Sequence, residues 1–182
     1  MKKTLNEENA AGRKLAEVLI GHFRVSCGSL TVCDPSAMDD EIRRVDNVLN
    51  GDWQGLVSTK NELPYGNCVA FLIAETKGGK PATPWERQHF KVPIEAGMAS
   101  IGDTDAFVAV ADTDGWLNRC LKLTDRRSQA GIFEGGIVSS SGYGDGYYAC
   151  YARRDEDGKV VSVMLDFDLA WGRKMMDAIC RR

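Results

Sequence analysis

At 182 residues the chain has the length of one domain, and folding at that size buries roughly 70% of the extended-chain surface. A hydrophobic fraction of 43% beside a charged fraction of 27% excludes a disordered chain, since enough apolar side chain is present to offset chain entropy. Lys+Arg 23 against Asp+Glu 26 leaves a net charge of -3 with no long basic block, which argues against a nucleic-acid partner.

The chain reaches Glu7 and Glu8 before any apolar run, and Leu15 to Phe23 is broken by Glu17, Gly21 and His22, so no signal peptide is predicted. No stretch approaches the roughly 18 apolar residues of a membrane span. The six cysteines, Cys27, Cys33, Cys68, Cys120, Cys150 and Cys180, form no C-x-x-C pair and suit reduced thiols. The expected location is cytoplasmic, with no membrane partner.

Leu15, Val18, Leu19, His22 and Phe23 recur at helical spacing, predicting an amphipathic helix from Asn6 to Phe23. Leu30 to Cys33 reads as a short strand stopped by Asp34-Pro35, because proline brings no amide to a ladder. Ser36 is then placed to cap a second helix, about Ala37 to Leu49, which ends at Asn50-Gly51. Strands follow over Trp53 to Thr59, Cys68 to Glu75 and Phe90 to Ile94. Ala106 to Ala111 fits a buried strand or a helix equally, and Trp116 to Leu123 reads as a helix started by Asp112-Thr113-Asp114.

Ile132 to Ser141, Gly146 to Arg154 and Lys159 to Phe167 read as three consecutive strands, the last two joined by Asp155-Glu156-Asp157-Gly158. Trp171, Met175, Met176 and Ile179 then predict a docking helix over Leu169 to Cys180. The predicted fold is mainly β with peripheral helices (α+β): an antiparallel β-sandwich or barrel-like sheet carrying N-terminal and C-terminal helices. It is one domain over 1–182, helical with one short strand over 1–50 and β-rich over 51–182.

The most specific stretch is Ser139-Ser140-Ser141-Gly142-Tyr143-Gly144-Asp145-Gly146-Tyr147-Tyr148. Alternate glycines permit positive φ, and Asp145 is expected to fix the corner by bonding backbone amides. Gly142-x-Gly144-x-Gly146 is not a dinucleotide fingerprint, because the third glycine is one residue early and a strand follows instead of a helix. No cofactor is implied.

Three pieces stand in order: Gly28-Ser29-Leu30-Thr31-Val32-Cys33-Asp34-Pro35, Val92-Pro93-Ile94-Glu95-Ala96-Gly97-Met98-Ala99-Ser100-Ile101-Gly102-Asp103, and Ser141-Gly142-Tyr143-Gly144-Asp145-Gly146-Tyr147, with Asp166-Phe167 after them. In order and spacing this resembles the bacterial family known as domain of unknown function 4241, over most of the chain; the middle, Trp53 to Arg87, is shorter and holds no aligned motif. The resemblance implies no reaction.

Asp34, Asp103 and Asp145 each stand beside a Gly or Pro turn. They either converge on a divalent cation, for which carboxylates are the right ligands, or each caps its own turn through backbone amides. Asp112-Thr113-Asp114-Gly115 begins like a calcium loop but lacks the remaining ligands, so capping is its expected role. Ser139, Ser140 and Ser141 lack the G-x-S-x-G elbow, and only His22 and His89 exist as bases. No cysteine shows the context of an activated thiolate. Tyr143, Tyr147, Tyr148 and Tyr151 are divided between an aromatic recognition surface and core packing.

Whether the chain is an enzyme stays open at this level. The expected function is a non-catalytic ligand- or protein-binding domain, with Asp34, Glu95, Asp103, Tyr143, Asp145 and Tyr147 as candidate ligand-binding residues. The partner is a protein or a small molecule that the sequence leaves unidentified, as it does the oligomeric state. The alternative is a divalent-metal-assisted hydrolase using Asp34, Asp103 and Asp145, with His89 or Glu95 as base.

Overall fold

Residues 16–37, 41–62 and 66–167 are described by the computed structural model of the chain. They form two antiparallel sheets and two helices. The six-stranded sheet runs in the order β1 (Ala16–Val25), β4 (Gly51–Glu62), β5 (Gly66–Thr76), β11 (Val160–Asp166), β10 (Gly146–Arg154) and β6 (Glu86–Ile94). The five-stranded sheet runs β3 (Arg43–Asp46), β2 (Ser29–Cys33), β7 (Met98–Asp103), β9 (Gly136–Ser140) and β8 (Ala130–Phe133). Helices α1 (Thr104–Ala111) and α2 (Trp116–Thr124) follow β7.

Strand alternation makes the core. Trp53, Val57, Leu72, Val163 and Leu165 of the larger sheet meet Leu30, Val32, Ile101 and Ile137 of the smaller one in a single apolar cluster. Each such burial contributes roughly 1.5–3 kcal/mol. The opposite face of the five-stranded sheet is covered by both helices, where Phe107, Trp116 and Phe133 meet edge to face. The Trp116 indole donates to the Pro35 carbonyl at 2.9 Å, which ties α2 to the end of β2. A third cluster, Ala70, Phe71, Ile73, Trp85, Tyr151 and Met164, belongs to the far face of the six-stranded sheet.

Strands within β2, β4, β5, β6, β10 and β11 are as the sequence predicts. Both sheets are open, with β1, β6, β3 and β8 as edges, so the barrel-like closure is corrected. The N-terminal helix is corrected over its described part: residues 16–25 form β1, paired with β4 from Ala16 opposite Thr59 to Val25 opposite Gly51. Phe23 and Val25 turn inward with Arg24 between them exposed, a period of two that the Leu15, Val18, Leu19 spacing concealed. Gly21 is needed for close approach, since a Cβ there lies 2.7 Å from Ile132 Cγ1. The rest of that predicted helix, and all of Leu169 to Cys180, lie outside the described residues.

The second predicted helix is corrected too. Arg43–Asp46 is β3, with Val45 buried between exposed Arg44 and Asp46, and residues 38–40 lie outside the described residues. Among the described residues Ser36 caps no helix; its amide and hydroxyl both donate to Asp34 Oδ1, at 2.8 and 2.7 Å. The expected strand over Ile132 to Ser141 is split into β8 and β9 by a turn at Glu134-Gly135. Ala106 to Ala111 is helical because Asp103 caps α1, while α2 starts from Gly115 without a side-chain cap. Asp112 ends α1, and Thr113 donates to the Val110 carbonyl at 2.6 Å, so that triplet closes one helix rather than opening the next. No helix among the described residues is long and apolar enough to cross a membrane.

Candidate functional site

Two chain crossings between the sheets lie side by side. One runs from β6 to β7 through Glu95-Ala96-Gly97, and the other from β9 to β10 through Ser141 to Asp145. Ser140 pairs with Met98, the Ser141 amide donates to the Gly97 carbonyl at 2.9 Å, and Gly146 pairs with Ile94. The glycine corner is therefore held against its neighbour on both flanks.

Inside the corner, the Ser141 hydroxyl and the Tyr148 phenol both donate to the Gly144 carbonyl, at 2.6 and 2.8 Å. The Tyr143 amide donates to the Ser141 carbonyl at 2.8 Å. Gly142, at φ +71°, sits where a Cβ lies 2.1 Å from the Val69 carbonyl oxygen, so both its conformation and its missing side chain are required. Tyr148 is buried edge-on against Phe167, with ring centroids 5.0 Å apart. Burial chiefly raises its phenol above the usual value; the Ser141 hydroxyl bond opposes this, and the nearby Asp145 charge adds to it.

Asp145 does not fix the corner. Its side chain is exposed and makes no hydrogen bond among the described residues, and Ser141 and Tyr148 supply the bonds instead. Of the four tyrosines, Tyr148 and Tyr151 are buried, whereas Tyr143 and Tyr147 are 44% and 68% exposed. Asp145 thus stands between two exposed rings, with exposed Glu95 on the adjoining crossing.

Asp34 lies beneath this rim. Its Oδ2 accepts the amides of Glu95 at 2.8 Å and Ala96 at 2.6 Å, and its Oδ1 accepts Ser36. Asp103 is elsewhere: it lies opposite Leu30 in the β2 and β7 ladder, while Cys33, next to Asp34, lies opposite Ser100. Four residues of strand, about 13 Å at ~3.3 Å per residue, separate the two positions. Asp103 Oδ2 accepts the amides of Ser26 at 2.6 Å and Cys27 at 3.0 Å, and Oδ1 accepts Ala106 at 3.0 Å. Burial alone pushes its carboxyl up, but the amides of Ser26, Ala106 and Cys27 outweigh it and hold the carboxyl below its ordinary value. The structure brings Asp34, Glu95 and Asp145 to neighbouring turns and leaves Asp103 apart. Among the described residues no group of three His, Cys, Asp or Glu side chains is placed to hold a metal ion.

The two histidines occupy opposite edges of the six-stranded sheet, His22 on β1 and His89 on β6. Five strand spacings of ~4.8 Å put them about 24 Å apart. The hydroxyls near the corner are committed: Ser139 donates to the Ser140 carbonyl, and Ser140 to Gln129 Oε1, both at 2.9 Å. Burial pushes the thiols of Cys33, Cys120 and Cys150 up to about 12, so they stay protonated.

One feature near the corner carries no sequence motif. A groove of about 360 Å³ is lined by Leu121, Lys122, Thr124, Asp125 and Ser140, between the end of α2 and β9. Ser140 is the residue before the corner, so groove and rim adjoin. Only the pairing of β9 beside α2 creates this concavity, and no spacing along the chain encodes it.

A family model described as "Protein of unknown function (DUF4241)" matches residues 23–165, a span that contains Asp34, Glu95, Asp103 and the whole glycine corner. No curated protein and no solved structure matches the chain.

Proposed function

The chain belongs to the DUF4241 family, whose description carries no activity, and from the corner's geometry we propose a non-catalytic domain that binds a protein or small-molecule ligand. The observation that carries this reading is the exposure of Tyr143 and Tyr147 on either side of exposed Asp145, above a backbone pinned by Ser141 and Tyr148. Tyrosine offers apolar area with a polar tip at small entropy cost, and a pinned backbone reduces what binding must order. The crossing through Glu95, Ala96 and Gly97 flanks that surface. Asp34 serves it from behind by holding the amides of Glu95 and Ala96, while Asp103 holds the separate turn of Ser26 and Cys27.

In this reading the two sheets are the layers of a sandwich that keeps the rim rigid, and the protein works in the cytoplasm with reduced thiols. The net charge of -3 disfavours nucleic acid as its partner. Affinity capture with wild-type protein and a Tyr143→Ala, Asp145→Ala variant tests the proposal. A partner identified by mass spectrometry should bind the wild type at least tenfold more than a variant of equal thermal stability. Equal capture by both proteins contradicts the reading.

A further inference from the structure

Beside the corner, the exposed face of β6 carries Arg87, His89 and Lys91 at alternate positions, all exposed. Gln88 and Phe90 between them are half-buried, and Phe90 packs against the core. The β6 and β10 register shifts here: Lys91 lies opposite Ala149 and Arg87 opposite Tyr151, so four steps of β6 face two of β10. At the edge of the strand Arg43 Nε donates to the Lys91 carbonyl at 3.2 Å.

Each end of this strip is defined. At one end Tyr147, opposite Pro93, is 68% exposed, with the carboxylates of Glu95 and Asp145 beyond it. At the other is Trp85, 8% exposed, with the Arg153 guanidinium 5.3 Å from its ring centroid. The Trp85 indole N–H is the buried side-chain donor that has no hydrogen-bond partner among the described residues. The same end holds acceptors as well: the Thr83 carbonyl takes the Arg153 Nε at 3.4 Å, and the Glu86 carboxylate lies 3.7 Å from Arg154 Nε.

From this arrangement we infer that the outer face of β6 docks a short acidic polypeptide segment in extended form. The inference rests on the binding role of the corner and gives it a partner class. The segment's carboxylates meet Arg87 and Lys91, while Tyr147 packs on its stem. It is not added as a further strand of the sheet. Pro93 has no amide to offer, and the Lys91 carbonyl already accepts from Arg43. A polyphosphate chain fits less well, because its uniform charge runs into Glu95 and Asp145, whereas a peptide can change sign there.

Fluorescence anisotropy with a fluorescein-labelled hexaglutamate peptide at low salt is the direct test. Binding should weaken as salt rises. It should fall at least tenfold in an Arg87→Glu, Lys91→Glu variant and stay within twofold in an Arg126→Glu, Arg127→Glu control. Amide shifts on adding unlabelled hexaglutamate to wild-type protein, requiring no variant, should cluster on 85–93 and 147–153. Absence of binding, equal loss in the control, or tighter binding of a dT12 oligonucleotide overturns the inference. If the β6 variant binds its captured partner like wild type while the Tyr143, Asp145 variant loses it, the acidic-segment inference fails and the corner reading stands. The reverse outcome removes the corner reading and keeps the strip.

Discussion

Ser141 and Tyr148 share one acceptor: the Gly144 carbonyl receives the serine hydroxyl at 2.6 Å and the phenol at 2.8 Å. Two donors on one carbonyl hold the corner from below while the side chains of Tyr143 and Asp145 are exposed above it. Tyr148→Phe keeps the packing against Phe167 and removes one bond. A net hydrogen bond contributes about 0.5–1.5 kcal/mol, and at this chain length each kcal/mol moves Tm by about 2–4 °C. The variant should lose about 1–6 °C in a thermal scan, with faster amide exchange confined to 142–146. A loss spread evenly over the sheets instead would show that Tyr148 acts through the core alone.

Gly142 and Gly144 are both left-handed, at φ +71° and +89°, yet they differ in surroundings. A Cβ at Gly142 meets the Val69 carbonyl oxygen at 2.1 Å, and one at Gly144 meets nothing within 4 Å. Gly144→Ala should cost only the conformational term, about 1–2 kcal/mol. Gly142→Ala adds overpacking against backbone and should cost about 2–5 kcal/mol. Urea titrations of the two variants decide it, and equal midpoints would sink this account.

What was legible in the sequence is what local chemistry determines. The Asp155-to-Gly158 hairpin is an example, since Asp155 Oδ1 accepts the amides of Asp157 at 3.1 Å and Lys159 at 2.8 Å, partners within four residues. Tyr147 and Tyr148, adjacent on a strand, had to face opposite ways, so the division of tyrosines between surface and core follows from the pleat. The spacing of Val18, Leu19, His22 and Phe23 misled because β1 is shaped by pairing with β4, which lies some thirty residues on. The roles of Asp34 and Asp103 were hidden for the same reason. Their amide partners at Glu95 and Ser26 lie 61 and 77 residues away, and nothing local to a carboxylate says which distant turn it will meet.

Thiol accessibility separates the cysteines. Cys33, Cys120 and Cys150 are buried and pushed up to about 12, while Cys27 is half-buried and donates to the Ser29 carbonyl at 3.2 Å. Iodoacetamide at pH 8 followed by peptide mapping should label Cys27 in the native protein, and the other three only after denaturation. Prompt native labelling of Cys150 would contradict the packing of β10 against the core.

Asp103 predicts how stability responds to acid. Its folded carboxyl lies below the ordinary value of 3.8, because the amides of Ser26, Ala106 and Cys27 together outweigh burial. A depressed carboxyl contributes stability that is fully present well above the unfolded value and is lost as pH falls through it toward the folded one. Asp103→Asn replaces one acceptor oxygen with a donor facing amide donors, and it removes the charge those amides stabilise. The variant should be less stable than wild type at pH 7, and the gap should narrow as pH drops below about 4. Urea midpoints at pH 7, 4.5 and 3 measure it. A gap that stays constant to pH 3 would mean that the turn of Ser26 and Cys27 is held by packing, with the Asp103 charge contributing nothing.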